Sequence, residues 1–316
     1  MLSIFVWREL LPTLQQLRYL VAVADAGHFR RAAESCHVTQ PTLSAQLKEL
    51  ESKLGAVLIE RSRGGVVATP LGEQIIQHAR TALREVEEIR TLSTLQSGSL
   101  NSTIKVGVVQ SLGSYLLPIL VPDLHKTHPQ LKLYVREGLP AHLLDALGTG
   151  ALDLLFFPLP VKEAEFETRP LFREPLSVVM PFDHPFAAQD AIAPSTLKGE
   201  TIMALERGHR LYDQVERICE QHGAVLSAEF EGTSLDTLRQ MVAMGMGLSL
   251  LPALYVRSEV ASQELVLARP FRGTPPSRTI GMVWRRSTAR EAEYQDLGDE
   301  ICEILSAQAR ELVMLG

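Results

Sequence analysis

Residues 28–54, HFRRAAESCHVTQPTLSAQLKELESKL, constrain the fold more than any other stretch of the chain. Leu14–Ala26 before it carries Leu14, Leu17, Leu20, Val21 and Ala24 at a helical period, and Gly27 stops that helix. Phe29–Cys36 reads as a second short helix, with Ala32 and Ala33 small enough for close helix approach. His37-Val38 makes a turn. Thr39 or Gln40 caps a third helix whose first turn tolerates Pro41. In that third helix Leu43, Leu47, Leu50 and Leu54 share one face and belong to a core.

The opposite face presents Pro41, Ala45, Lys48 and Ser52, flanked by Thr42, Ser44 and Glu49. Small and hydroxylic groups at an exposed helix N-terminus allow close approach to base edges, and the free N–H groups favour phosphate. Gln40 is long enough to pair bidentately with adenine. Residues 58–69 (LIERSRGGVVAT) read as a hairpin with Gly64-Gly65 at its tip and Arg61 and Arg63 beside it. A basic hairpin after such a helix is a wing that grips flanking DNA backbone, and Arg30 and Arg31 would meet phosphates from the other side. The alternative is a three-helix bundle with a solvated face.

Bulk charge does not announce a nucleic-acid partner, since the 316 residues carry a net charge of −6. The acid is unevenly placed. Residues 1–97 hold 11 Lys+Arg against 10 Asp+Glu, and residues 98–316 hold 20 against 27. Phosphate binding therefore falls to local basic positions. No run of 18 apolar residues marks a membrane span. Met1–Leu11 lacks the basic start and small-residue cleavage site of a signal peptide and reads as a tail. Cys36, Cys219 and Cys302 are odd in number and form no CxxC pair, which argues for a reducing cytoplasm and against a zinc site. No cofactor is expected.

Pro70 opens a long helix to about Ser97, in which Ile75, Ala79, Ala82, Val86 and Ile89 step as a 3.5-residue seam. Two chains joined there would hold two winged units for two half-sites. The alternative is an amphipathic helix packed on its own domain. Residues 97–102 (SGSLNS) read as a linker.

From Thr103 short β-branched runs alternate with helical segments, which predicts a mainly parallel α/β fold in two halves. The expected strands are 104–109, 131–136, 152–156, 176–180, 201–204, 227–231, 248–251, 264–268 and 279–284. Crossings between halves are expected near Phe172–Pro175 and Pro270–Ser277, where prolines cluster. Ligands in such folds bind outside the carboxyl ends of the strands, which selects Gln110, Ser111, Pro140, Thr233 and Ser234. Gly245-Met246-Gly247 lacks the third glycine of a dinucleotide fingerprint and ends a helix instead of opening one. His125 and His128 read as surface residues.

Several stretches together resemble the winged helix-turn-helix of LysR-type transcriptional regulators: Phe29 to Ala33, Thr39 to Ser44, Leu47 to Glu51, Leu54-Gly55, Leu58, Arg61 and Thr69 to Gly72. SYLLP at 114–118 and TSLDTLRQMVAMGMGLSLLPAL at 233–254 extend the likeness to the peroxide-sensing OxyR branch. The resemblance implies an N-terminal all-α winged helix-turn-helix with a long linker helix, followed by a periplasmic-binding-protein-like effector region of two α/β subdomains. It divides the chain into a tail (1–13), a DNA-binding domain (14–71), a dimerisation helix (72–97), a hinge (98–102) and an effector region (103–316). Subdomain I would take about 103–172 and 277–316, and subdomain II about 173–276. It further implies a homodimer through the linker helix, assembled to a homotetramer on an interrupted palindrome of double-stranded DNA, contact with RNA polymerase, and transcriptional activation.

That branch senses peroxide with a cysteine after a Gly-His pair and a second cysteine nine residues on. Here Gly208-His209 is followed by Arg210, and only Cys219 remains. A guanidinium cannot form a sulfenic acid or a disulfide. Cys219 shares a helix face with Leu211, Val215 and Ile218, which reads as an inert buried thiol. Arg210 offers a planar fork for an anion, so His209, Arg210 and Asp213 join Ser111 and Ser234 as a candidate site for a small anionic effector. The alternative is an ion pair of Arg210 with Glu206 or Asp213. A redox-responsive activator working through Cys219 or indirectly is the second functional expectation, and an enzyme on the α/β region the third. No nucleophile elbow, P-loop or metal-binding His pair supports that last class.

Overall fold

The structure is a computed structural model that describes residues 11–62, 65–94, 103–261 and 265–315. It comprises two compact units, residues 1–97 and 98–316. Residues 1–10 of the expected tail, the expected hinge, Arg63 and the start of the strand expected at 264–268 lie outside the described residues. Among the described residues no helix is long and apolar enough to cross a membrane.

In the first unit, α1 (Leu14–Ala26) opens on a capping box between Thr13 and Gln16 and ends at Gly27, whose φ of 60° is the left-handed geometry glycine adopts without strain. Helix α2 (Phe29–Ser35) is capped by His28, whose Nδ1 accepts from the Arg30 N–H. His37 turns the chain at φ 54°. Thr39 caps α3 (Gln40–Leu54). Leu43, Leu47 and Leu50 are buried with Leu20, Val23, Ala32 and Ala33, and Leu54 packs partly buried against them. The wing, β1 (Ile59–Ser62) antiparallel to β2 (Gly65–Ala68), is tied to α3 by Glu51, whose carboxylate accepts from the N–H groups of Leu58 (2.8 Å) and Ile59 (3.2 Å). Helix α4 (Pro70–Thr94) packs its first turns on α1, burying Ile76 and Ala79 and pairing Arg80 with Asp25. Gly72 sits there because a Cβ would collide with the Leu58 carbonyl of the wing.

In the second unit the chain runs β3 (Thr103–Val109), α5 (Gly113–Thr127), β4 (Lys132–Gly138), α6 (Pro140–Gly148), β5 (Leu154–Leu159) and β6 (Phe166–Met180). It continues through β7 (Thr201–Leu205), α7 (Arg210–His222), β8 (Val225–Gly232), α8 (Leu235–Ala243) and β9 (Leu248–Pro252). It closes with β10 (Leu267–Pro270), β11 (Ser277–Arg285), α9 (Glu291–Gln308) and β12 (Val313–Met314). The strand order is β4-β3-β5-β11-β6-β9-β7-β8.

The sheet is mixed, which corrects the expected mainly parallel one. β3 pairs parallel with β4 and β5, and β7 with β8 and β9, but β6 and β11 run antiparallel to their neighbours. The reason lies in β6, whose 15 residues span both halves. Phe166–Pro175 pairs with β11 in the first half, and Leu176–Met180 with β9 and β10 in the second. One chain crossing lies at 175–176 and the other between Pro270 and Ser277, close to where the prolines placed them. Two separate cores result, one around Trp284, Phe157 and Phe172 and one around Tyr255, Val178 and Ile202.

Candidate functional site

In the first unit the buried leucines of α3 fix which side faces outward. Gln40, Pro41, Thr42, Ala45 and Lys48 are exposed and Ser44 is half-buried. The Thr42 hydroxyl lies 2.8 Å from that of Thr39, so it also serves the cap. Arg30 is exposed and pairs with Glu34 across one turn (3.1 Å), and Arg31 is exposed beside it. An exposed pair of this kind is weak and yields readily to a phosphate. Arg61 lies on the wing opposite Val66. The outward face of α3 thus carries Gln40, Pro41, Thr42 and Lys48 of the residues expected to read DNA, with Arg30 and Arg31 on α2 and Arg61 on the wing.

In the second unit a cleft of about 170 Å³ lies at the carboxyl ends of the parallel strands. Gln110 and Ser111 enter it after β3, and Ser114 and Tyr115 from the first turn of α5. Glu137 comes from the end of β4 and Leu205 from the end of β7. His209 comes from the cap of α7, and Thr233 to Asp236 from the β8–α8 junction. The structure therefore brings together five expected residues: Gln110, Ser111, His209, Thr233 and Ser234.

It leaves three out. Pro140 is buried as a first-turn residue of α6 and lines no part of the cleft. Asp213 is exposed on α7, where its backbone carbonyl accepts from Arg217. Arg210 opens α7 half-buried and outside the lining. The physical reason is the helix start. His209 stands at the N-cap position of α7 without a side-chain cap bond and lines the cleft, and the following residue is carried round the helix away from it. The ion pair of Arg210 with Glu206 or Asp213 is also not seen among the described residues; the Glu206 carboxylate lies 3.9 Å from His209 Nε2.

Ser111 is buried, and Arg278 holds it twice, donating to its hydroxyl (2.7 Å) and to its carbonyl (2.9 Å). Ser234 caps α8 by accepting from the Thr237 N–H (3.2 Å). His209 is only 3% exposed, and its Nε2 has no hydrogen-bond partner among the described residues. Burial lowers its pKa against the opposing pull of Glu206, so the ring is neutral at neutral pH. Tyr115 is shifted upward, first by burial and then by Asp236, Glu259 and Glu137. Cys219, buried on the inner face of α7, has its thiol pushed up to about 11 by desolvation. All three cysteines are free. Among the described residues no cluster of three His, Cys, Asp or Glu could hold a metal ion.

Sequence reasoning missed Ser114, Tyr115, Glu137, Leu205, Leu235 and Asp236. The strand-end rule could have found two of them, since Glu137 lies one residue past the expected end of β4 and Asp236 two past Ser234. It also missed that the lining carries two carboxylates and no Arg or Lys. The anion anchor expected of Arg210 therefore has no place in the cleft.

A winged helix-turn-helix followed by a two-part α/β region defines a DNA-binding regulator of transcription. Residues 14–73 match the model of the bacterial regulatory helix-turn-helix proteins of the lysR family, and residues 97–304 match that of the LysR substrate binding domain. The chain belongs to the LysR family and is a transcriptional regulator, not an enzyme.

It is 42% identical over 291 residues to a hydrogen peroxide-inducible genes activator of Pectobacterium carotovorum, covering 92% of this chain and 96% of the relative. It is 41% identical over 289 residues to the DNA-binding transcriptional dual regulator OxyR of Escherichia coli K12, covering 91% and 94%. A full-length OxyR variant of Pseudomonas aeruginosa superposes with a TM-score of 0.78 at 40% identity, covering 96% and 98%. A Corynebacterium glutamicum OxyR mutant with hydrogen peroxide bound superposes at 0.66 and 30% identity, covering 96% and 95%.

Proposed function

We propose that this regulator reads double-stranded DNA with α3 and its wing, and that a small molecule in the cleft, not a thiol switch, sets its activity. The observation that carries the reading is the pairing of a polar cleft with a buried Cys219. A thiol pushed up to about 11 is a poor nucleophile, whereas the cleft gathers hydroxyls, an amide and a bare histidine nitrogen at the strand ends. On DNA the protein works as a homodimer joined along α4, assembled to a tetramer on an interrupted palindrome, in the cytoplasm, with RNA polymerase as a further partner.

A second reading, a peroxide-responsive activator acting through Cys219 or indirectly, is favoured by the names of the relatives. One experiment separates the two: a gel shift with the DNA upstream of the protein's own gene, with and without hydrogen peroxide, at two salt concentrations. The first reading expects steep salt dependence and no change with peroxide. A peroxide-dependent shift in mobility or affinity would replace it with the second.

A further inference from the structure

The charge around the cleft is the reverse of what an anion needs. Two carboxylates, Glu137 and Asp236, face it, with no Arg or Lys in the lining. Three helix N-termini open there, those of α5, α7 and α8, and the acids lie at two of them. Glu137 lies over the first residue of α5, so closely that a Cβ at Gly113 would collide with its Oε1, and it accepts from the Ser114 hydroxyl (3.3 Å). Asp236 sits in the first turn of α8, behind the Ser234 cap, and accepts from the Tyr255 hydroxyl (3.0 Å).

A helix N-terminus is a natural seat for an anion, and here the chain's own carboxylates stand at those of α5 and α8, while the start of α7 presents the His209 ring. An incoming carboxylate or phosphate would meet like charge and would have to displace Glu137. Arg239 offsets Asp236 in part, at 3.5 Å, and donates to the Glu259 carbonyl. Arg278 is committed to Glu174 and Ser111. Around Tyr115 that leaves Asp236, Glu259 and Glu137 against Arg239, a negative surplus that adds to burial, the larger cause, in shifting the Tyr115 phenol upward.

An independent observation marks the cleft as a place for a ligand. His209 is buried at the cleft with an unpartnered Nε2. A neutral imidazole can present a bare nitrogen to a ligand N–H, and the Tyr115 ring attracts a cation over its face.

We propose that the cleft binds a small molecule carrying a protonated amine, with its ammonium against the carboxylates of Glu137 and Asp236. This rests on the reading of the cleft as the effector site and names the class of effector. The rest of the molecule is small and hydrogen-bonding, as a cleft of about 170 Å³ lined by hydroxyls and an amide requires. Ser114, Thr233, Ser234 and Gln110 offer it hydroxyl and amide partners.

The test uses the full chain and three probes on one three-carbon skeleton at matched ionic strength: 1,3-diaminopropane, malonate and 1,3-propanediol. Calorimetry and thermal unfolding should show binding and stabilisation by the diamine alone. Glu137→Gln and Asp236→Asn, which keep side-chain size, should each weaken diamine binding by roughly tenfold or more. Should one variant not fold, the ranking of the three probes on the unsubstituted protein decides alone. Malonate or propanediol binding as well as the diamine would overturn the proposal, as would no diamine binding at saturating concentration or equal affinity in both variants.

Thr233→Trp, which fills the cleft, tells the two levels apart. If malonate or propanediol binds and Thr233→Trp abolishes it, the amine class fails and the effector cleft stands. If binding of every probe is indifferent to Thr233→Trp, both fall.

Discussion

Arg278 Nε stands 2.8 Å from Glu174 Oε2, and the two side chains are 5% and 0% exposed. They are cross-strand partners where β11 meets β6, beside the point at which β6 leaves one half of the effector region for the other. Arg278 donates twice more, to the hydroxyl and carbonyl of Ser111 in the cleft, and Glu174 accepts from the Leu254 N–H (2.9 Å). A single buried network therefore ties the cleft wall to a crossing strand, and neither charge has water to fall back on.

Breaking such a pair from one side costs more than removing it whole, because the survivor is a buried uncompensated charge. Arg278→Met should destabilise the effector region by about 3–5 kcal/mol and free the Ser111 hydroxyl. The double variant Arg278→Met with Glu174→Leu should recover much of that loss. Urea unfolding of the three proteins measures both, and a double variant no more stable than Arg278→Met would contradict the argument.

Peroxide should leave this protein's thiols in the second unit largely untouched. Desolvation holds Cys219 near 11, so only about one thiol in ten thousand is ionised at pH 7, and burial also pushes Cys302 upward. Mass spectrometry after peroxide and a sulfenic-acid trap should find no adduct on Cys219 in the folded protein. Arg210→Cys, which places a thiol nine residues before Cys219, should acquire one at position 210. An adduct on Cys219 in the unsubstituted protein would revive the redox reading.

The winged unit was legible because each of its signals is local. Gly27 and Gly55 stop helices in left-handed geometry, Thr39 caps α3, and the leucine spacing sorts inside from outside. The cleft was half legible. Strand ends can be read from hydrophobic runs, which gave Gln110, Ser111, Thr233 and Ser234. Which residue of a helix start turns inward depends on the cap, and that separates His209 from Arg210 by one position. The pairing of Glu174 with Arg278 and the seating of Glu137 over Gly113 are contacts between distant segments, 104 residues apart for the ion pair. No periodicity carries such contacts. The first half of β6 was missed for a similar reason: its ladder partner β11 lies about a hundred residues on in the chain.

His209 should make stability depend on pH. Its folded pKa lies below the ordinary histidine value of about 6.5, because burial penalises the charged ring more than Glu206 favours it. Between the two values the unfolded chain binds more protons. The contribution to stability is thus complete above about pH 6.5 and is lost as pH falls through the depressed folded value. Thermal unfolding from pH 8 down to pH 5 should show a steeper decline for the unsubstituted protein than for His209→Gln. Parallel profiles would mean that the ring is not the group responsible.

The seam of α4 divides into two parts, and self-association should depend on only one. Ile75 and Ala79 are already used within the unit, half-buried and buried against α1. Ile89, two turns beyond Ala82, stands 66% exposed on the same seam. A large aliphatic side chain left in water on a helix that carries a 3.5-residue repeat is the surface that the proposed dimer along α4 would cover. Ile89→Asp would place a charge in that contact at a desolvation cost without touching the core of its own unit. Sedimentation should show self-association weakened by about tenfold or more, with the melting temperature of the dissociated chain unchanged. Gln77→Asp, exposed on the same helix but off the seam, should associate normally. If Ile89→Asp associates as tightly as Gln77→Asp, the dimer contact lies elsewhere.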